Sequence, residues 1–275
     1  MRQQSNINAI LKRKKRSGAR RKFAWTAALV FLFLALCTVA LSTKWVRIGN
    51  VSVSGNSAVS TADIRNAIAP VLDRHVIGIV RTDNFFLLDR DGAERAILAE
   101  PRIATAKVSF ASFKDLSISV TERAAAALWC GGDPAKMGDC FSMDDAGFVF
   151  ASSSATSSLI SYFGLLSSDP VGRQYFDAVR FREISAFVAG IAALGFAPVS
   201  FVATDAHEYS VYLKNGGTII VNDSKPLEQS LANLAAVVAN KLLKTDVATL
   251  RKIQYINLEA DNKVYCAPAA VCGGK

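Results

Sequence analysis

Histidine is almost missing from this chain: only His75 and His207 occur in 275 residues, with no acid or nucleophile at a recognisable spacing. That scarcity removes most His-based catalytic and metal-binding arrangements. The phosphate-cradling G-x-x-x-x-G-K, the G-x-S-x-G elbow and the zinc-helix H-E-x-x-H are also absent. Acidic residues are missing from the first 22 positions, where nine basic residues stand: Arg2, Lys12, Arg13, Lys14, Lys15, Arg16, Arg20, Arg21 and Lys22. The remainder carries 23 basic and 23 acidic residues, so the net charge of +9 comes from that one run. Such a run directly before an apolar stretch is a topology signal rather than a nucleic-acid footprint, and no nucleic-acid partner is expected.

Phe23 to Leu41 is 19 residues without a charge, ended by Lys44 and Arg47. About 20 apolar residues cross the hydrocarbon core as a helix. The nine-to-two basic bias predicts a cytoplasmic tail at 1–22, a transmembrane helix at 23–43 and everything later outside the cytoplasm. In a bacterium this is an inner (plasma) membrane protein facing the periplasm or cell surface. A cleaved signal peptide, with Ala40 and Ser42 at its end, would have an apolar region of about 7 to 15 residues and a shorter basic lead. Lipid attachment at Cys37 is disfavoured by Leu36, which is not small.

Cysteine is also sparse, with Cys37 in the apolar run and Cys130, Cys140, Cys266 and Cys272 beyond it. Cys130 and Cys140 bracket a Gly-rich loop, and Cys266 and Cys272 bracket a shorter one. Neither pair has C-x-x-C spacing and no histidine is near, so disulfides or free thiols fit better than zinc. No metal or cofactor is expected.

After the apolar run, Val46, Ile48, Val51 and Val53 alternate with a slip at Gly49-Asn50, the pattern of a bulged strand. Ser60 and Asp63 form a capping-box start for a helix carrying Ile64, Ile68, Val71 and Leu72. The stretch from Asp73 to Leu88 is irregular; a second helix starts near Asp89 and stops at Pro101. Ile103 to Phe110 and Leu116 to Glu122 alternate across the turn Ala111 to Asp115, a hairpin. Cys140 to Phe150 reads as strand, turn, strand, with Asp144 and Asp145 as turn formers, and Ser152 to Ser158 as a loop. A helix from Phe181 to Leu194 precedes strands at Val199 to Thr204, Tyr209 to Leu213 and Thr218 to Val221, the last two joined at Asn215-Gly216-Gly217. Leu227, Leu231, Leu234, Val238 and Leu242 line one face of a long helix entered past Pro226. Two closing strands, Ile253 to Leu258 and Lys263 to Ala267, meet across Asp261-Asn262.

The early order of strand, helix, helix, strand, strand resembles the POTRA module. The resemblance rests on Val51 to Asn56 leading into Ser60 to Ile64, on Asn84 to Asp89, on Glu100 to Ile103, and on Leu116 to Arg123. Placed behind a basic tail and one apolar helix, these segments resemble the FtsQ/DivIB family of bacterial cell-division proteins. The resemblance implies an α+β architecture: a POTRA domain at 46–123, an FtsQ-type β domain at 124–268 and a C-terminal tail at 269–275. Two departures stand out. Ala124-Ala125 follow Glu122-Arg123 where a proline is usual, and Asn257-Leu258-Glu259 stands where Asp-Leu-Arg is common, so contacts of that arginine do not carry over.

The family resemblance implies a non-enzymatic divisome scaffold at the division septum. It would hold FtsB-like and FtsL-like single-pass coiled-coil proteins and help control septal wall synthesis. Other divisome proteins would be met through the POTRA domain. It also implies that partners dock at the C-terminal edge, which singles out Tyr255, Asn257, Asn262, Lys263, Val264, Tyr265, Cys266 and Ala267. Tyr265 is an aromatic anchor, and Val264 and Cys266 either meet the partner or pack on the long helix. Alternatives are a POTRA-bearing assembly factor or cell-wall sensor unrelated to division, and a wall hydrolase, for which reduced Cys130 or Cys140 is the one candidate nucleophile.

A reporter active only outside the cytoplasm, fused after Lys275, is expected to be active. Changing Lys12 to Arg16 all to Glu should impair insertion in that orientation, and an unchanged orientation would count against the charge argument.

Overall fold

The computed structural model describes residues 22–40, 43, 45–76, 80–136, 138–153, 159–166, 169–204, 207–214, 216–243, 245–261 and 263–268. Helix α1 (Lys22–Ala40) has 19 residues, is long and apolar enough to cross a membrane, and buries none of its apolar surface within the protein. The chain divides into two compact units, Met1–Glu122 and Arg123–Lys275.

The first unit continues with β1 (Asn50–Ser54), α2 (Thr61–Leu72), a ribbon of β2 (His75–Val76) and β3 (Val80–Arg81), α3 (Arg90–Leu98), β4 (Ile103–Phe110) and β5 (Asp115–Glu122). The capping serine works as the sequence suggests: Ser60 Oγ accepts the Asp63 N–H at 3.1 Å, and α2 turns Ile64, Ile68 and Val71 into the core. Asp89 caps α3 through the Gly92 N–H at 2.8 Å. The sheet order is β1-β5-β4, with β1 parallel to β5 and β4 antiparallel to it.

The first strand begins later than its alternation predicts. Gly49 and Asn50 both donate to the Lys114 carbonyl, at 2.9 and 3.1 Å, which is the bulge. Ahead of it, Val46 to Ile48 leave the sheet and run beside Asp83 to Phe85, with Ile48 N–H to Asp83 O at 2.9 Å and Phe85 N–H to Val46 O at 3.1 Å. Arg47 reinforces this at 2.6 Å from the Asp83 carboxylate, a contact that raises the guanidinium pKa. The irregular stretch is organised by buried Asn84, whose Oδ1 accepts the N–H groups of Phe86 (3.0 Å) and Leu87 (2.9 Å).

The second unit contains β6 (Ala127–Trp129), β7 (Cys140–Met143), β8 (Val149–Ser153), β9 (Ser161–Phe163), α4 (Ala178–Ala193), β10 (Pro198–Ala203), β11 (Glu208–Leu213), β12 (Thr218–Asn222), α5 (Leu227–Ala239), α6 (Val247–Leu250), β13 (Tyr255–Asn257) and β14 (Tyr265–Ala267). Nine strands form one sheet in the order β14-β13-β12-β11-β10-β9-β6-β7-β8. Helices α4 and α5 bring Phe181, Ile184, Phe187, Leu227 and Leu234 onto a core with Phe201, Val211, Ile219 and Ile256. The three-residue strands β6 and β9 and the one-turn α6 escape the sequence reading, being too short to show periodicity. The closing strands are shorter than expected, Asn215 and residues 154–158 lie outside the described residues, and Ser152-Ser153 end β8 rather than open a loop.

Asp144 does more than form its turn. Its Oδ1 accepts the N–H groups of Ala146 and Phe148, both at 2.9 Å, while Oδ2 pairs with Arg123, whose guanidinium lies 4.2 Å over the Phe148 ring. Cys130 and Cys140 are joined as a disulfide, with Cys130 fully buried. Cys266 is also disulfide-bonded, Cys37 is free, and Cys272 lies outside the described residues.

Glu122 ends β5 and accepts the N–H groups of Ser57 (2.6 Å), Ala58 (3.0 Å) and Val59 (3.0 Å), and the Ser57 bond leads in lowering its pKa. A lowered carboxylate pKa adds stability above the ordinary glutamate value of about 4.3, lost as pH falls through the folded-state value. Glu122→Gln should therefore cost about 1 kcal/mol at neutral pH, with allowance for solvent screening, and the loss should vanish in acid. Unfolding midpoints of the full chain in lipid nanodiscs across pH check this. Replacing Cys130 and Cys140 together by Ala should cost about 2 to 3 kcal/mol through the reopened loop, read by denaturant unfolding without reductant.

Candidate protein-binding edge

Among the described residues, strand β14 is the last strand and the outermost of its sheet. It pairs antiparallel with β13 in the register Tyr255 with Ala267, Ile256 with Cys266 and Asn257 with Tyr265. Ile256 is fully buried, and Val264 and Cys266 pack against the same core that holds Leu234. The sequence leaves two roles open for Val264 and Cys266, and their side chains take the packing one. Alternation then puts Tyr255, Asn257, Tyr265 and Ala267 on the opposite face. Tyr255 is 40% and Tyr265 53% exposed.

Local bonds hold this corner in place. Asn257 Nδ2 donates to Glu259 Oε2 at 2.7 Å and its Oδ1 accepts the Glu259 N–H at 2.8 Å, so its side chain braces the following turn. Leu258 N–H reaches Ile220 O at 2.8 Å, and buried Lys225 donates to Ala260 O at 2.6 Å. Lys263 is exposed beside the turn, and Asn262 lies outside the described residues.

Sequence reasoning missed Tyr212, which is 39% exposed. It pairs with Thr218, Thr218 with Tyr255, and Tyr255 with Ala267, so one row on the outer face carries Tyr212 and Tyr255, with Tyr265 one row on. The signal was available in β11, where Tyr209, Val211 and Leu213 alternate with Tyr212, but the shared row needs the register.

Several polar groups beside α4 and β11 are engaged with one another. A cavity of about 720 Å³ beside α4 and α5 is lined by Arg180, Glu183, Phe187, Asp223, Lys225 and Leu231. Arg180 bonds Glu183 at 2.9 Å and Tyr209 at 3.3 Å, and His207 Nδ1 meets Asp223 at 2.7 Å. The disulfide removes Cys130 and Cys140 as nucleophile candidates. Among the described residues, no three His, Cys, Asp or Glu side chains converge as a metal site. What the β13–β14 corner can do chemically is bind: backbone groups of an outer strand and exposed tyrosines suit a polypeptide partner.

Residues 46–123 match the model of the POTRA domain, FtsQ-type. No curated protein matches the chain. The chain thus carries an FtsQ-type POTRA domain behind a helix long and apolar enough to cross a membrane, a combination that supports a division-related membrane protein of the FtsQ/DivIB kind.

Proposed function

We propose that this protein is a non-enzymatic, single-pass scaffold of the bacterial divisome that captures small single-pass coiled-coil division proteins of the FtsB and FtsL kinds. The partner adds a strand beside β14, and the scaffold helps control septal wall synthesis. The observation that carries the reading is the position of β14 at the end of a nine-stranded sheet. Exposed Tyr255 and Tyr265 supply aromatic anchors on one face, while Ile256, Val264 and Cys266 are held by the core on the other. The FtsQ-type POTRA domain supports the division setting and leaves a second protein-binding domain for other divisome members. The basic run before α1 supports a cytoplasmic N-terminus with both folded units outside.

A strand added at β14 uses the backbone whichever face is buried, so proline should damage binding more than truncation does. Val264→Pro deletes an N–H beside an outermost strand, where proline is compatible with folding, and should abolish capture. Tyr265→Ala should weaken capture about tenfold, and Val264→Ala less. Circular dichroism checks the fold and co-purification with the partner checks capture. A folded Val264→Pro variant that captured partner at the wild-type level would overturn the edge reading and direct attention to Arg102 to Phe110.

A further inference from the structure

Three segments far apart in sequence bring aromatic side chains to one end of the first unit. Phe85 lies with ring centroids 5.2 Å from Phe86, 4.7 Å from Phe110 and 4.8 Å from Phe113. Phe86 is 62% and Phe113 60% exposed, an unusual way to leave two rings of a small domain. Trp45 is 80% exposed, with Lys114 Nζ 5.5 Å from its ring centroid. Backbone bonds stitch the segments together: Phe85 N–H to Val46 O, and Gly49 and Asn50 N–H to Lys114 O. Asn84 builds the turn that projects Phe86, and Arg47 with Asp83 fastens the chain leaving α1 to it.

That end of the domain is also the end attached to α1. Trp45 is five residues past Ala40, a reach of at most about 17 Å. Thr43 N–H reaches Ala40 O at 3.2 Å and Val46 N–H reaches Thr43 O at 3.4 Å. Indole and phenyl rings with a lysine beside them are what the headgroup layer of a bilayer accepts, rings at the acyl boundary and the ammonium among phosphates. Resting on the reading of α1 as a membrane anchor, we infer that Trp45, Phe86, Phe113 and Lys114 form a second membrane contact that seats the POTRA domain on the outer leaflet. The contact fixes the domain's orientation to the bilayer, where a lone helix with a short linker would let it swing.

The test uses the full chain in vesicles of phosphatidylethanolamine and phosphatidylglycerol, with photoreactive p-benzoyl-phenylalanine at position 86 or 113. A control probe goes at Leu98, exposed at the far end of α3, and another at Phe31 within α1. Positions 86 and 113 should form lipid adducts several-fold above position 98. Trp45→Ala or Lys114→Glu should lower the adducts at 113 several-fold, a loss that mere tethering would not produce. Adducts at 31 with none above the Leu98 level at 86 and 113, or adducts to a second copy of the chain in their place, would overturn the inference and leave the anchor standing. Adducts at 113 unchanged by both substitutions would reduce the contact to proximity and overturn it too. No adducts at 31 would overturn the anchor reading itself.

Discussion

A backbone taken out of water must find partners for its N–H and C=O groups, and an open sheet meets that need everywhere except along its outer strands. Both units are built around this constraint. In the first, Arg65 from α2 donates to the Val51 carbonyl of β1 at 2.6 Å, and Glu94 from α3 accepts the Val108 N–H of β4 at 2.8 Å. The helices thus cover the core and blunt both outer strands with one charged side chain each. In the second unit, β8 is engaged by a neighbouring loop, with Val149 N–H to Arg173 O at 2.9 Å and Gly172 N–H to Val149 O at 2.8 Å. The opposite boundary of that sheet is β14, on which the proposed partner pairing rests.

For an outer strand to serve as a dock, the sheet behind it has to be stiff. Trp129 Nε1 donates to Gly164 O at 3.0 Å and Tyr175 OH to Phe163 O at 2.6 Å, so both large aromatics are buried without an orphaned donor. Burial pushes the Tyr175 phenol far up, which keeps it a neutral donor at any physiological pH. Gly164, with φ of 90° and its absent Cβ 2.0 Å from the Ala203 carbonyl, lets β9 and β10 close over these groups. From β10 the sheet continues through β11 and β12 to β13, whose Ile256 is fully buried.

Much of this was legible because it is local. A charge-free run of 19 residues, a serine three residues before an aspartate, and alternation across Ile103 to Glu122 each express a period or a cap within a few residues. Elements without that redundancy were not legible. β6 and β9 have three residues each and owe their extended state to neighbours on both sides, and the detour of Val46 to Ile48 along Asp83 to Phe85 has no signature in either segment.

The sequence by itself determined the apolar helix long enough to cross a membrane, the α+β order, the helix caps and the β4–β5 and β11–β12 hairpins, since hydrophobic period and capping chemistry act between near neighbours. Tertiary structure decided which strand ends the sheet, which face Val264 and Cys266 turn inward, and that Tyr212 shares a row with Tyr255. It also gathered Trp45, Phe85, Phe86 and Phe113 at the end of the domain nearest α1. Those outcomes depend on register and on parallel pairing between segments as distant as Asn50 and Asp115, which loop closure and core packing choose together and no short window of sequence records.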